Sequence, residues 1–299
     1  MYNYTHPPDE TGRLLLMVGL IGDPVAQSYS PRFQQAAFDA LGIPARYELW
    51  QTSADALSAR VASLLAPACL GANITIPYKE AVMPLVDLID PLAARIGAVN
   101  TIVHRDDYLY GYNTDAPGLL QALVEQGVGG QRGGEGEDEG VTLEGYSAIL
   151  LGAGGAARGA AFALVGAGVE RLVIVNRNLE RAQRLARDIQ QTSECPVFSL
   201  SDLEFLIPHA HSLIVNATAP GMHEDTSPLP ANVLARFDAD TFVFDMVYHP
   251  AETKLLCQAR ILGFRAVNGL PMLLHQGALA FTLWTGQPAP LEVMRAALY

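Results

Sequence analysis

The chain has 299 residues, half of them hydrophobic, and a net charge of −12. That length suggests two domains with ample cores, and the acidic balance argues against nucleic acid or an anionic membrane surface as partner. No apolar run approaches the roughly 18 residues of a membrane span, and the first thirteen residues lack a signal-peptide core, so the expected location is cytoplasmic.

In chain order, residues 1–13 read as a polar, proline-containing tail. Leu14 to Leu20 reads as a buried strand. Ser30-Pro31 then opens a helix, with Ser30 as N-cap and Gly42 as the stop. Tyr47 to Trp50 reads as a strand, and Ser53 caps a helix to about Leu65. Ala72 to Ile76 is a strand ended by Pro77, with Lys79 directly after it. A helical stretch runs through Ala93 to Ile96. Val99 to Val103 and Tyr108 to Tyr112 flank Asp106-Asp107, which predicts a hairpin turn. Asn113-Thr114-Asp115 begins a helix that ends near Gln126. Strand and helix thus alternate over the first 126 residues, as in an α/β domain. Gly127 to Gly140 has seven glycines and four acids in fourteen residues and predicts a mobile loop or linker that buries nothing.

Residues Tyr146 to Arg177 carry the clearest local signal. An apolar run, Ala148 to Leu151, enters a glycine-rich turn, Gly152-Ala153-Gly154-Gly155-Ala156. An alanine-rich helix follows to Ala167, and a second apolar run, Leu172 to Val175, ends at Asn176-Arg177. This is one βαβ unit of about 30 residues. Gly152 permits the bend, Gly154 lets backbone N–H groups approach a pyrophosphate, and Ala157 lets helix and sheet pack closely. An NAD site usually has Asp or Glu at the end of the second strand, for the ribose 2′-OH. Here Asn176, Arg177 and Arg181 stand there, and a guanidinium suits a 2′-phosphate, so the expected cofactor is NADP (NADPH).

The Rossmann part continues to Asp245 through strands at Ser212 to Asn216 and Thr241 to Asp245. About fifty residues remain, including helices over Leu270 to Trp284 and Leu291 to Leu298. They make a poor independent core and are expected to pack back onto the first domain. Cys69, Cys195 and Cys257 are far apart and form no C-x-x-C pair; they read as reduced thiols, and no metal site is expected.

Outside the nucleotide turn, polar clusters sit at strand ends and helix starts. They are Ser28-x-Ser30-Pro31, Asn73-x-Thr75-x-Pro77-x-Lys79, Asn100-Thr101 and Asn113-Thr114-Asp115, joined by Tyr248 and by Gln276 on the last long helix. Each has a plain reading: a helix cap, a surface lysine, a buried aromatic. Together they suit one ligand. Hydroxyls at a helix N-terminus suit a carboxylate, amides and hydroxyls suit a polyol, and a Lys–Asp pair suits proton transfer at a carbonyl being reduced.

The ordered motifs resemble the shikimate dehydrogenase family: G-D-P-V-A-Q-S-Y-S-P at 22–31, N-I-T-I-P-Y-K at 73–79, G-A-V-N-T at 97–101, N-T-D at 113–115, G-A-G-G-A at 152–156, N-R at 176–177, N-A-T at 216–218, G-M at 221–222, D-M-V-Y-H-P at 245–250 and N-G-L-P-M-L at 268–273. The resemblance implies NADPH-dependent reduction of 3-dehydroshikimate to shikimate, on the route to chorismate and the aromatic amino acids. It implies Lys79 and Asp115 as the catalytic pair, Ser28 and Ser30 on the substrate carboxylate, and Thr75, Asn100, Asp115 and Gln276 on ring hydroxyls. Asn176, Arg177 and Arg181 would hold the 2′-phosphate. Thr218 is assigned to the cofactor site; Met222, Tyr248 and Gly269 line the nicotinamide and the cleft, with Tyr248 also assigned to the substrate. Gln27 stands where the family usually has His, Asn178 where it has Thr, and Ala116 where Gly is common.

The expected fold is α/β: an N-terminal α/β substrate domain (1–126 with 250–299), a flexible acidic linker (127–145), and a Rossmann-type doubly wound NADP-binding domain (146–249), with the C-terminal helices packing back on the first domain. The expected partner is a small-molecule substrate, with no nucleic acid and no membrane, and the protein is expected to be a monomer or homodimer. Alternatives are a quinate or aminoshikimate dehydrogenase of the same family and a non-catalytic NADP-binding sensor. A methylene-tetrahydrofolate dehydrogenase or glutamyl-tRNA reductase would leave Ser-x-Ser-Pro and Asn-Thr-Asp without a role.

Overall fold

A computed structural model describes residues 15–131, 140–222 and 225–299; the expected tail and the middle of the glycine-rich stretch lie outside them. The chain forms two units. One runs up to Gly118 and resumes at Leu273–Tyr299; the other is Leu119–Met272.

The first unit holds β1 (Leu16–Gly22), α1 (Ser30–Ala40), β2 (Ala45–Gln51), α2 (Leu57–Ala62), β3 (Cys69–Ile74), β4 (Leu88–Ile89), α3 (Pro91–Ile96), β5 (Thr101–Arg105), β6 (Tyr108–Tyr112) and the start of α4 (Asp115–Glu125). Its sheet has the order β2-β1-β3-β5-β6-β4. β1 is parallel to β2 and β3, while β5 is antiparallel to β3 and β6. β1 has neighbours on both edges and is buried along nearly its whole length, as its unbroken apolar run requires. Asp106 and Asp107 both adopt positive φ, 50° and 62°, in the tight hairpin between β5 and β6. A core of Ile21, Val61, Leu64, Ile74, Val99 and Ile102 fills one face.

The second unit begins with a small antiparallel ribbon, β7 (Gly130–Gln131) with β8 (Val141–Thr142). It continues with β9 (Ser147–Leu151), α5 (Gly155–Gly166), β10 (Arg171–Val175), α6 (Leu179–Gln190), β11 (Val197–Leu200), β12 (Ser212–Asn216), α7 (Ala231–Leu234), β13 (Phe242–Asp245), α8 (Lys254–Ile261) and β14 (Arg265–Val267). Its large sheet has the order β11-β10-β9-β12-β13-β14, every pair parallel. That is the doubly wound order with a switch point between β9 and β12, where such sheets bind ligands at the carboxyl ends of strands.

The helices α9 (Leu270–Thr285) and α10 (Leu291–Leu298) follow. From Leu273 onward they belong to the first unit, as expected: Phe281 packs on Phe38 at 5.0 Å between ring centroids, and Trp284 Nε1–H donates to the Ile102 carbonyl at 2.9 Å. Residues 250–272 were expected there too but belong to the second unit, because β14 pairs with β13 and extends its sheet. The expectation for 127–145 also needs correction: Val128, Val141 and Leu143 are buried, and Leu143 N–H donates to the Ala167 carbonyl at 2.7 Å. Ser30 is not the N-cap of α1; Tyr29 holds that position, and Ser30 N–H turns to the Ser28 hydroxyl at 3.2 Å. All three cysteines are free, and burial pushes the Cys69 thiol up to about 11.

One glycine sets a close approach within the first unit. A Cβ on Gly118 would lie 2.7 Å from Gln276 Cβ and 2.8 Å from the Gln276 backbone nitrogen. In an isolated helix Gly→Ala stabilises by about 1 kcal/mol. Here overpacking reverses the sign, and Gly118→Ala is expected to destabilise by about 1–3 kcal/mol. Thermal melts of the two proteins check this; a higher midpoint for the variant contradicts the packing argument.

Candidate active site

Lys79 follows β3, and Asp115 is the first residue of α4. Their side chains meet at 2.5 Å, 15% and 8% exposed. Asp115 is not the helix cap. Asn113 does that, its Oδ1 accepting the Ala116 N–H at 3.1 Å, so the Asp115 carboxylate is free to point elsewhere. Its Oδ2 takes Lys79, and its Oδ1 accepts from Asn100 Nδ2 at 2.9 Å.

Asn100 is the hub of this layer. Its Nδ2 also donates to Thr114 Oγ1 at 2.9 Å and, at 3.4 Å, to Gln276 Oε1. Its Oδ1 accepts from the Thr114 N–H at 2.7 Å and from the Thr101 hydroxyl at 3.2 Å. Behind it, Asn73 Nδ2 donates to Thr101 Oγ1 at 3.1 Å, and the Tyr47 hydroxyl donates to Asn73 Oδ1 at 2.8 Å. Thr114, Thr101 and Asn73 belong to the polar clusters read from the sequence but carry no individual role there, and Tyr47 is not among them. Those three also lie inside the quoted motifs; Tyr47, on β2, carries no local signal.

Lys79, Asp115, Asn100 and Gln276 are therefore brought together. Ser28 and Ser30 form a separate pair, hydroxyl to hydroxyl at 3.2 Å, on the loop after β1 and the first turn of α1. Thr75 donates its N–H to the Ile21 carbonyl at 2.9 Å, and its methyl fills the space a Cβ on Gly22 would need. Gln27, at the position of one family departure, is exposed.

In the second unit the turn after β9 has the form a phosphate ligand requires. Gly152 has φ +112°, and a Cβ there would lie 3.1 Å from both the Ala217 carbonyl and Thr218 Cγ2. Ala153 continues the turn. Gly154 is exposed, precedes α5, and has nothing within 4 Å of where a Cβ would stand. No side chain caps this helix, so the N–H groups of Gly155 and Ala156 are left for a ligand. At the end of β10, Asn176 Nδ2 donates to the Asn178 carbonyl at 2.8 Å, and Asn178 caps α6 by accepting the Arg181 N–H at 3.1 Å. Arg177 and Arg181 are exposed, and no carboxylate pairs with either among the described residues. These residues fit a dinucleotide bearing an extra phosphate. Elsewhere in this unit, Thr218 and Met222 follow β12, Tyr248 follows β13, and Gly269 is buried where a Cβ would lie 2.2 Å from the Met246 carbonyl oxygen.

Three family models match the chain: the shikimate dehydrogenase substrate binding domain over residues 20–102, shikimate / quinate 5-dehydrogenase over 136–247, and the shikimate 5′-dehydrogenase C-terminal domain over 269–299. A curated protein of Symbiobacterium thermophilum, named shikimate dehydrogenase (NADP(+)), is 42% identical over 290 residues, which is 96% of this chain and 93% of that protein. The solved shikimate 5-dehydrogenase of Thermus thermophilus, in complex with NADP(H) and shikimate, is 38% identical with a TM-score of 0.80, covering 95% of this chain and 98% of that one. Quinate dehydrogenase from Corynebacterium glutamicum, solved with NAD, is 31% identical with a TM-score of 0.80, covering 94% and 98%. Identity of this degree over nearly the full length, with the paired lysine and aspartate and the glycine turn each set in its own unit, shows that the chain belongs to the shikimate dehydrogenase family.

Proposed function

We propose that the chain reduces 3-dehydroshikimate reversibly to shikimate with NADPH, and that Lys79 and Asp115 are its proton-transfer pair. The observation that carries this reading is their contact at 2.5 Å, held among Asn100, Thr114 and Gln276. A lysine kept for solubility would be exposed; this one is partly buried against one carboxylate. The cytoplasm and a monomeric or homodimeric state are part of the same proposal.

NADPH, when bound, supplies the hydride that reaches the carbonyl carbon. Negative charge then develops on the carbonyl oxygen, and a positioned donor must meet it. The Lys79 ammonium, or a hydroxyl relayed through Asp115, supplies that proton. Asp115 fixes the direction of the ammonium and keeps its second oxygen on Asn100, so the pair is oriented before substrate arrives. Asn100, Gln276 and Thr75 offer amide and hydroxyl groups to ring hydroxyls, and Ser28 and Ser30 offer adjacent hydroxyls to the carboxylate. Tyr248 is assigned to the substrate, and Met222 and Gly269 to the nicotinamide end, by family resemblance. Gly152 to Ala156 and Thr218 would hold the pyrophosphate side, and Asn176, Arg177 and Arg181 the 2′-phosphate.

Initial rates with shikimate and quinate, each with NADP and NAD, test the reaction: the shikimate–NADP pair should be fastest, and a faster quinate–NAD pair would transfer the chain to the quinate branch. Lys79→Ala should lower kcat by about 10²–10⁴ with a much smaller change in substrate KM. Asp115→Asn should also lower kcat, and the double variant should be little worse than the poorer single one, because the two act as a unit. Near-normal kcat with a raised KM in Lys79→Ala would reduce the lysine to a binding residue. On the cofactor side, Arg177→Asp should raise the KM for NADP by about ten- to a hundredfold and leave that for NAD little changed. Equal KM values for NADP and NAD in the unmodified protein would sink that assignment.

A further inference from the structure

Asp245 ends β13, is fully buried, and has no role in the chemistry above. No cation pairs with it among the described residues. Three donors satisfy it instead. Its Oδ1 accepts from Asn216 Nδ2 at 2.8 Å and from the Val247 N–H at 3.1 Å, and its Oδ2 accepts from the Thr253 hydroxyl at 2.6 Å. Burial pushes this carboxyl above the ordinary aspartate range, while the bonds from Thr253, Val247 and Asn216 oppose that. In either protonation state Oδ1 can still accept both N–H groups.

A side-chain amide can present its oxygen or its nitrogen to a neighbour, and the neighbour's chemistry decides which. Asn216 is the register partner of Asp245 across the β12–β13 pair. Facing an acceptor, Asn216 must turn its Nδ2 toward Asp245, so its Oδ1 faces the other way. There it accepts both the Thr218 N–H at 3.0 Å and the Thr218 hydroxyl at 2.5 Å. Thr218 is thereby pinned over the Gly152 turn, its methyl where a Cβ on Gly152 would crowd it. This stack lies at the carboxyl ends of β9 and β12, the switch point of the sheet.

We propose that Asp245 is a positioning residue for the dinucleotide: through the Asn216 amide it sets Thr218 against the Gly152 turn, and so shapes the part of the site beyond the adenosine. The proposal rests on the reading that this unit binds NADP. It separates the site into two ends, with Arg177 and Arg181 at the 2′-phosphate end after β10, on a strand that pairs with neither β12 nor β13.

The test is equilibrium binding to the full chain of two ligands, NADP by calorimetry and adenosine 2′-monophosphate by ligand-observed NMR. Asp245→Ala should raise the Kd for NADP by about tenfold or more and leave that for the monophosphate within about twofold. Asp245→Asn keeps an acceptor oxygen for Asn216 and should raise the NADP Kd by no more than about threefold. Thr218→Val removes the hydroxyl from Asn216 without disturbing the buried carboxylate, and should also weaken NADP severalfold while sparing the monophosphate; it serves even if Asp245→Ala does not fold. NADP affinity unchanged in Thr218→Val, or in a folded Asp245→Ala, overturns the proposal. So does a parallel loss of both ligands, which would mark a general structural role. Failure of the unmodified chain to bind either ligand would remove the cofactor reading, and this inference with it.

Discussion

Lys79 and Asp115 come from two different segments, one after β3 and one at the head of α4, and both side chains are largely withdrawn from water. Taking such charges out of water carries an effective penalty of several kcal/mol per ion, repaid only when geometry is good and the remaining lone pairs are satisfied. The polar layer of the first unit follows from that requirement. Asn100 covers the second oxygen of Asp115, Thr114 and Thr101 cover Asn100, Asn73 covers Thr101, and Tyr47 covers Asn73 in turn. Each member is held because the next would otherwise be a buried orphan. Removing either charge leaves the other uncompensated, so the same pair that suits proton transfer also obliges its neighbours to stay in place.

The second unit solves a similar problem without a cation. Asp245 is buried deeper than Asp115 and is satisfied by one amide, one backbone N–H and one hydroxyl. The Thr253 hydroxyl that donates to it also caps α8 by accepting the Leu256 N–H at 3.3 Å. One carboxylate therefore ties two strand ends and a helix start, while the core of Ile149, Ile214, Val243 and Leu256 lies among the same elements.

Local features were legible in the sequence; long-range pairings were not. The βαβ unit over Tyr146 to Arg177 could be read directly, because its glycines, alanines and two apolar runs all lie within one continuous stretch. The six-strand parallel order could not be, since strand order depends on partners far apart in sequence. β14 has three residues and an exposed arginine at its start, too short for a periodic signal, so residues 250–272 were expected in the other unit. Ser30 has the composition of a cap, yet the Ser28 hydroxyl takes its N–H and the helix starts one residue earlier than capping chemistry suggests. In Asn113-Thr114-Asp115 three polar residues stand in a row, and composition could not say which caps, which bridges and which meets the lysine. The placement of Asn100 and Lys79 decides it.

The small ribbon of β7 and β8 pins two points of the chain to each other. Gln131 pairs with Val141, so the chain leaves and returns at one point, and Val128, Val141 and Leu143 anchor both flanks in the unit's interior. Gln131 and Val141 are thus held by the ribbon and by the buried residues beside it, ahead of the β9 turn. The ribbon therefore works as a clasp: the two strands that enter and leave it share one ladder, and its flanks are set by the unit's own core.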